Sequence, residues 1–302
     1  MRLVIFGLGY TCAHYVRSRK LAASVTGTTR RSENAVHLRH EGMRTLLFDE
    51  SRFDEQIAPA IAACDAIIVS APPGEAGDPV LRRFSDGLRA AERLGRIIYL
   101  STIGVYGDHS GGWVDETTPP RAEMARSRTR LHAEADWLRL GEETGKRVHI
   151  LRLAGIYGPA RNALTGVAEG AAKRIVKPGQ IFNRIHVEDI ARAIDACLST
   201  PTDSGVWNVS DDLPCPGPEV IEYAASLLGL PAPPEVAFDA ADLSPMARSF
   251  YGESRRVSNH RLRSELGVEL AYPTYREGLR ALFQQGEGRA KTDPITRRDW
   301  PR

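Results

Sequence analysis

The chain has 302 residues, 42% of them hydrophobic and 26% charged, which excludes collagen-like, fibrous and disordered classes and leaves room for two domains or one large one with insertions. With 40 Lys and Arg against 38 Asp and Glu the net charge is +2, too balanced for a general polyanion-binding surface, so nucleic acid is not expected as a partner. Cys12, Cys64, Cys197 and Cys215 lie far apart with no C-x-x-C pair, a pattern that suits neither zinc nor a disulfide framework and fits a reducing compartment.

At the N-terminus a short apolar run enters a glycine turn, unlike a signal peptide. No segment approaches the ~18 apolar residues of a membrane span. A cytoplasmic protein without a membrane partner is therefore expected. Strands are predicted at Leu3–Phe6, Ser24–Thr28, Thr45–Phe48, Ala66–Ser70, Ile97–Leu100 and Val148–Leu153. Helices are predicted between them at Ala13–Leu21, Ser32–His40, Phe53–Ala62, Pro79–Leu94 and Thr129–Glu143. This alternation is that of βαβ units stacked into an α/β, doubly wound parallel sheet. Beyond residue 158, Pro and Gly cluster at 177–179, 214–218 and 231–234, the punctuation of a smaller, loop-rich lobe. We therefore divide the chain into a doubly wound domain, 1–158, to which 187–212 returns, a smaller lobe, 159–186 and 213–286, and a charged tail, 287–302, expected to fray.

Gly7-Leu8-Gly9-Tyr10-Thr11-Cys12 follows a strand and opens a helix, the setting in which a glycine turn brings backbone N–H groups to a pyrophosphate. The third glycine of the fingerprint is Cys12, so the turn is either a dinucleotide site or an ordinary strand-to-helix connection. The second strand ends in Thr29-Arg30-Arg31, where an NAD site usually places a carboxylate. Guanidiniums there suit a ribose 2′-phosphate, or else form a solvated basic helix start. Asp49 is placed to accept from an adenine amino group or to cap the next helix. Ser70, Ala71 and Pro72, after the fourth strand, are assigned to the same cofactor face.

Tyr99-Leu100-Ser101-Thr102-Ile103-Gly104-Val105-Tyr106-Gly107 resembles the S-S-x-x-V-Y-G strand end of the extended short-chain dehydrogenase/reductase family. Leu151-Arg152-Leu153-Ala154-Gly155-Ile156-Tyr157-Gly158-Pro159, Ile185-His186-Val187-Glu188-Asp189-Ile190-Ala191 and Val206-Trp207-Asn208-Val209-Ser210 are similar to later segments of that family, in the same order. The resemblance covers roughly residues 1 to 285 and implies a Rossmann domain, a nicotinamide dinucleotide and a small-molecule substrate.

By that resemblance Thr102 takes the place of the hydroxyl that binds the substrate oxygen; the alternative is that Ser101 and Thr102 only cap a strand end. The family's catalytic tyrosine and lysine, one helical turn apart, should follow at the start of the long helix. Residues 124–134 hold neither. Arg126 and Arg130 best occupy the two positions, to within a residue or so of register. Arginine does not cycle a proton near neutrality, so these two are expected to bind anions or stabilise an oxyanion, or to form a solvated helix face. Tyr106, Tyr157, His132 and His186 are the candidate replacement acids; the alternatives are that Tyr106 and Tyr157 belong to turn motifs and that His186 only packs or caps the helix it begins. Arg161, Arg184 and His186, with Arg152, are expected to line the substrate cleft. The resemblance is to the atypical subgroup lacking the Tyr/Lys pair, and it implies an oxidoreductase or epimerase/dehydratase-like enzyme; Arg30 and Arg31 favour NADP, with NAD the other choice, and the expected partners are a small polar or anionic substrate and, if the chain pairs, a second copy in a homodimer. The alternative is a non-catalytic NADP(H) sensor.

Overall fold

The computed structural model describes residues 1–49 and 51–289. Seven strands form one sheet: β1 (Leu3–Phe6), β2 (Val25–Thr29), β3 (Arg44–Leu47), β4 (Ala66–Val69), β5 (Arg96–Thr102), β6 (Arg147–Leu153) and β7 (Gly205–Val209). Their order is β7-β6-β5-β4-β1-β2-β3, with every neighbouring pair parallel. Leu3-Val4-Ile5-Phe6 and Ala66-Ile67-Ile68-Val69 are buried throughout, as a sheet covered by helices on both faces requires. The winding reverses between β1 and β4, so their carboxyl ends open the crevice in which such sheets take ligands.

The flanking helices are α1 (Tyr10–Ser18), α2 (Ser32–His40), α3 (Ile57–Ala63), α4 (Pro79–Ala90), α5 (Ala125–Thr144) and α6 (Val187–Ser199). One apolar cluster gathers Ile5, Cys12, Val16, Ile98, Ile190 and Trp207 on the α1 and α6 side. A second gathers Phe6, Phe48, Phe84, Tyr99 and Trp137 on the α4 and α5 side. An ionic clasp joins α1 to α6: Glu188 lies 2.9 Å from His14 Nε2 and 2.7 Å from Arg19 Nη1, and Arg19 Nε reaches Asp195 at 2.5 Å.

Among the boundaries that depart from the sequence expectation, three have a plain local reason. Helix α1 starts at Tyr10, directly after Gly9, which is its N-cap. Helix α3 starts at Ile57 because Phe53 is taken by a bridge to Phe48 and an edge contact with Phe84. Strand β5 runs on to Thr102, paired with Leu153 of β6, and so carries Ser101 and Thr102 in the sheet.

The second lobe has its own apolar core of Tyr157, Leu164, Val167, Val220, Tyr275, Leu279 and Leu282 among others. Helices Ala163–Ala168, Gly217–Leu228 and Tyr275–Gln284 supply most of it. Short parallel pairs, Gly155–Tyr157 with Arg184–His186 and Arg174–Val176 with Glu235–Ala237, complete the lobe. The first residue of the expected tail is docked: the Glu287 carboxylate accepts from the Ala160 N–H (3.0 Å), Asn162 Nδ2 (3.1 Å) and the Thr165 hydroxyl (3.1 Å). The tail beyond residue 289 lies outside the described residues. No helix among the described residues is long and apolar enough to cross a membrane.

Candidate functional site

A cleft of about 750 Å³ lies at the crevice between β1 and β4. Its walls include Gly7, Gly9, Thr29, Arg30, Arg31, Asp49, Ser70, Ala71 and Pro72 from the expected set, together with Asn34 and Pro73, which sequence reasoning did not single out. Gly7 adopts φ +94°, and a Cβ there would meet the Ala71 nitrogen at 3.0 Å, so the position is closed to other residues. At Gly9 a Cβ would enter open space. The turn is supported from β2, where the Gly7 N–H donates to Thr28 Oγ1 (3.1 Å) and the Leu8 N–H to the Thr28 carbonyl (2.7 Å). Beneath it the Leu8 side chain fills the space over Gly27, where a Cβ would stand 1.8 Å from Leu8 Cδ1.

Cys12 is wholly buried in the α1 core, and burial pushes its thiol up to about 12. Its side chain thus fills the space between helix and strand, the packing position that the fingerprint's third glycine serves, and does not line the cleft. Tyr10 and Thr11 do not line it either: the Tyr10 hydroxyl donates to the Pro159 carbonyl in the second lobe (3.0 Å), and Thr11 is buried. Arg30 and Arg31 are exposed at the rim and pair with no carboxylate among the described residues. Asp49 has one oxygen committed to its own loop, accepting from the Ser51 and Arg52 N–H groups at 2.9 and 2.7 Å.

At the end of β5, Thr102 accepts from the Gly104 N–H (3.1 Å) and so caps the short 3₁₀ turn Ile103–Tyr106. A Cβ on Gly104 would sit 3.3 Å from Thr102 Oγ1 and 3.0 Å from Ser127 Oγ. The glycine therefore lets two hydroxyls crowd one point, and the residue that α5 turns toward Thr102 is Ser127, which is buried. Arg126, one position earlier, faces the second lobe instead: Nη2 donates to Ser249 Oγ (3.0 Å) and the guanidinium lies 4.6 Å from the Phe250 ring centroid. Arg130 donates from Nη1 to the Leu100 carbonyl (3.0 Å) and the Tyr99 hydroxyl (3.2 Å). Thus Arg126 and Arg130 do not converge on Thr102.

Behind this point lies a closed polar chain. Ser101 donates to Glu134 Oε1, and Arg152 Nη2 lies 2.7 Å from Glu134 Oε2 with both side chains buried. Arg152 also lies 4.9 Å from the centroid of Tyr106, whose hydroxyl donates to Asn208 Oδ1 (2.8 Å). Two expectations are corrected here. Arg152 is consumed by Glu134 rather than lining a cleft, and the buried Tyr106 hydroxyl is spent on Asn208, with burial raising its pKa, so it is not placed as a free acid.

In the second lobe a cavity of about 450 Å³ is lined by Tyr157, Phe182, Arg184, Phe250, Tyr251 and Tyr275 among others. Arg184 is in its wall, whereas Arg161 and His186 are not. Arg161 is exposed, its guanidinium 5.7 Å from the Tyr10 ring centroid. His186 is buried between Tyr157 and Tyr272, at 5.1 and 4.1 Å between ring centroids, and its Nδ1 accepts from the Glu188 N–H to cap α6. Burial, helped by the charge of His14, pushes His186 down to about 4. It is a neutral capping residue. His132 stands exposed on α5.

The model of the NAD dependent epimerase/dehydratase family matches residues 7–210. Over 283 residues the chain is 28% identical to Protein YeeZ of Escherichia coli K12, covering 90% of this chain and 96% of that one. Among solved structures it matches a functionally unknown conserved protein from Silicibacter pomeroyi DSS at 45% identity, with a TM-score of 0.85 over 95% of this chain and 99% of that chain. It shares its fold, at 18% identity and a TM-score of 0.75, with dTDP-glucose 4,6-dehydratase of Bacillus anthracis in complex with NAD, over 95% and 97% of the two chains. Since the family model spans most of the chain while α5 holds neither a tyrosine nor a lysine, the chain belongs to the NAD-dependent epimerase/dehydratase family as an atypical extended short-chain dehydrogenase/reductase.

Proposed function

We propose that the chain is an NADP-dependent oxidoreductase or epimerase-like enzyme acting on a small anionic substrate. The observation that carries the cofactor choice is the pair Arg30 and Arg31 at the rim of the glycine cleft, with no carboxylate at the end of β2. The cleft fits a dinucleotide: the open side of Gly9 leaves room for a pyrophosphate against the start of α1, and Asn34, Thr29 and the Ser70–Pro72 turn supply further walls. When bound, the nicotinamide supplies a hydride donor or acceptor.

The chain's own contribution is positioning. Thr102 and Ser127 place two hydroxyls around Gly104, able to donate to a substrate oxygen, and the buried Glu134–Arg152 pair holds α5 against the strand ends that present them. α5 offers no ionisable hydroxyl to move the proton, and slow turnover follows.

Calorimetry with NADPH and NADH tests the cofactor choice. NADPH should bind more tightly by about one to two decades, the worth of one charge-assisted fork to phosphate, and Arg30→Asp should remove the difference. Equal affinities in the parent protein would overturn it. A second reading, an NADP(H)-binding regulator without turnover, draws on the engagement of Arg126 and Arg130 by protein groups. It predicts tight dinucleotide binding with no activity on a panel of aldehydes, ketones and nucleotide sugars.

A further inference from the structure

The second-lobe cavity has a largely apolar and aromatic wall. Its lining is Tyr157, Ala163, Ile175, Phe182, Val220, Ile221, Leu243, Phe250, Tyr251, Tyr275 and Leu279, with Ala247, Gly217, Lys173 and Arg184. It holds no Asp, Glu, Asn, Gln, Ser or Thr. Burying sugar hydroxyls unpaired is costly, and the neutral polar side chains of this wall are the hydroxyls of Tyr157, Tyr251 and Tyr275 alone, too few for a sugar. At about 450 Å³ it suits a compact ligand, near the lower end of small-molecule sites.

Arg184 is the polar group that this wall presents in a fixed direction. Nη1 is held by the Phe182 carbonyl (3.3 Å) and by the Cys215 carbonyl and sulfur (3.4 and 3.3 Å). The guanidinium carbon lies 6.0 Å from the Phe182 ring centroid and 5.9 Å from that of Tyr275. Its Nε–Nη2 edge makes no hydrogen bond and no ion pair among the described residues, and the nearest carboxylate to feel its charge, Asp211, is buried with its pKa raised to about 7. Such an edge matches a carboxylate through two parallel N–H···O bonds. Lys173, the other cation of the wall, is engaged by the Asp242 carbonyl at 3.0 Å. Phe250 closes the side toward α5 and carries Arg126 on its ring, so the cavity adjoins the helix start that bears Ser127.

We propose that this cavity binds a monocarboxylate with a flat or branched apolar body, its carboxylate on the Nε–Nη2 edge of Arg184 and its body among Phe182, Tyr251, Tyr275 and Leu279. Calling that ligand a substrate rests on the enzyme reading above; the binding site itself does not.

The test uses 3-phenylpropionate, 3-phenylpropionamide and UDP-glucose as probes in calorimetry and saturation-transfer NMR on the full chain, with NADPH affinity measured in parallel. The carboxylate should bind at millimolar concentration or below, and the amide should bind roughly tenfold more weakly or worse, as expected when a charge-assisted pair is lost. Arg184→Gln should lose the same factor, and Arg184→Lys, which keeps charge but loses the fork, should recover only part of it. Ala247→Trp, which fills the cavity from a half-buried wall position, should abolish binding while leaving the melting temperature and NADPH affinity unchanged. Equal binding of acid and amide, an unaffected Arg184→Gln protein, competition by UDP-glucose, or no carboxylate binding at 10-fold above the millimolar range would each overturn the proposal. Failure to bind NADPH would instead overturn the enzyme reading and leave the carboxylate result standing.

Discussion

Glu134 of α5 and Arg152 of β6 form a buried ion pair, 2.7 Å between Oε2 and Nη2, that ties the long helix to the sheet immediately behind Thr102. Ser101, paired with Arg152 across β5 and β6, donates to the same carboxylate. The pair is therefore a fixture of the strand ends.

Removing one partner strands the other. Glu134→Ala should lower stability by about 3 to 5 kcal/mol, because Arg152 would remain buried and uncompensated. Urea unfolding checks this. The double change Glu134→Met with Arg152→Met should recover much of the loss while slowing any turnover, since the hydroxyl positions depend on the same contact.

The two hydroxyls around Gly104 give a paired prediction for activity. Thr102→Ala and Ser127→Ala should each lower kcat more than they raise KM, for bonds that strengthen in the transition state. Gly104→Ala should impair both at once, its Cβ lying 3.0 Å from Ser127 Oγ. Steady-state kinetics on a turned-over substrate decides; an unchanged kcat in the Ser127→Ala protein would remove that residue from the site.

Cys12 should behave as a packing residue. Cys12→Gly should cost about 1 to 3 kcal/mol, from lost core volume and from glycine inside a helix, without weakening NADPH binding by more than twofold or so. In the native parent the thiol should resist alkylation, being fully buried with its pKa pushed up.

Asp211, which follows β7, has its pKa raised to about 7, mainly by burial and further by Asp212 and Asp189, against the pull of Arg184 and the Leu213 N–H. Between its ordinary value of 3.8 and about 7 the native state holds a proton that the unfolded chain has released. Stability from this group therefore falls as pH rises through that window. Asp211→Asn should match the parent near pH 4 and exceed it near pH 8 by on the order of 2 kcal/mol, read from denaturant midpoints at the two pH values.

The parallel sheet was legible because its strands are short aliphatic runs separated by helix-length polar segments, and the glycine turn was legible from its place between β1 and α1. Ser127 was not. Its neighbour Arg126 carries the more conspicuous side chain, and a one-residue shift at a helix start turns a side chain by about 100°, enough to exchange the inward residue for the outward one. Tyr106 and Arg152 misled in a similar way, since sequence gives the chemistry of a side chain but not whether a partner such as Asn208 or Glu134 already occupies it. For His186 the sequence left a substrate role and a packing or capping role open, and the Glu188 N–H on its Nδ1 decides for the cap.

The contact between Leu8 and Gly27 has a wider consequence. The glycine turn rests on a hydrophobic wedge whose seat is a bare stretch of the neighbouring strand, so the curvature of the turn is inherited partly from β2. A methyl group added at Gly27 would lift Leu8 and tilt the adjoining N–H groups, and a nucleotide-binding defect would then arise from a residue that never meets the nucleotide.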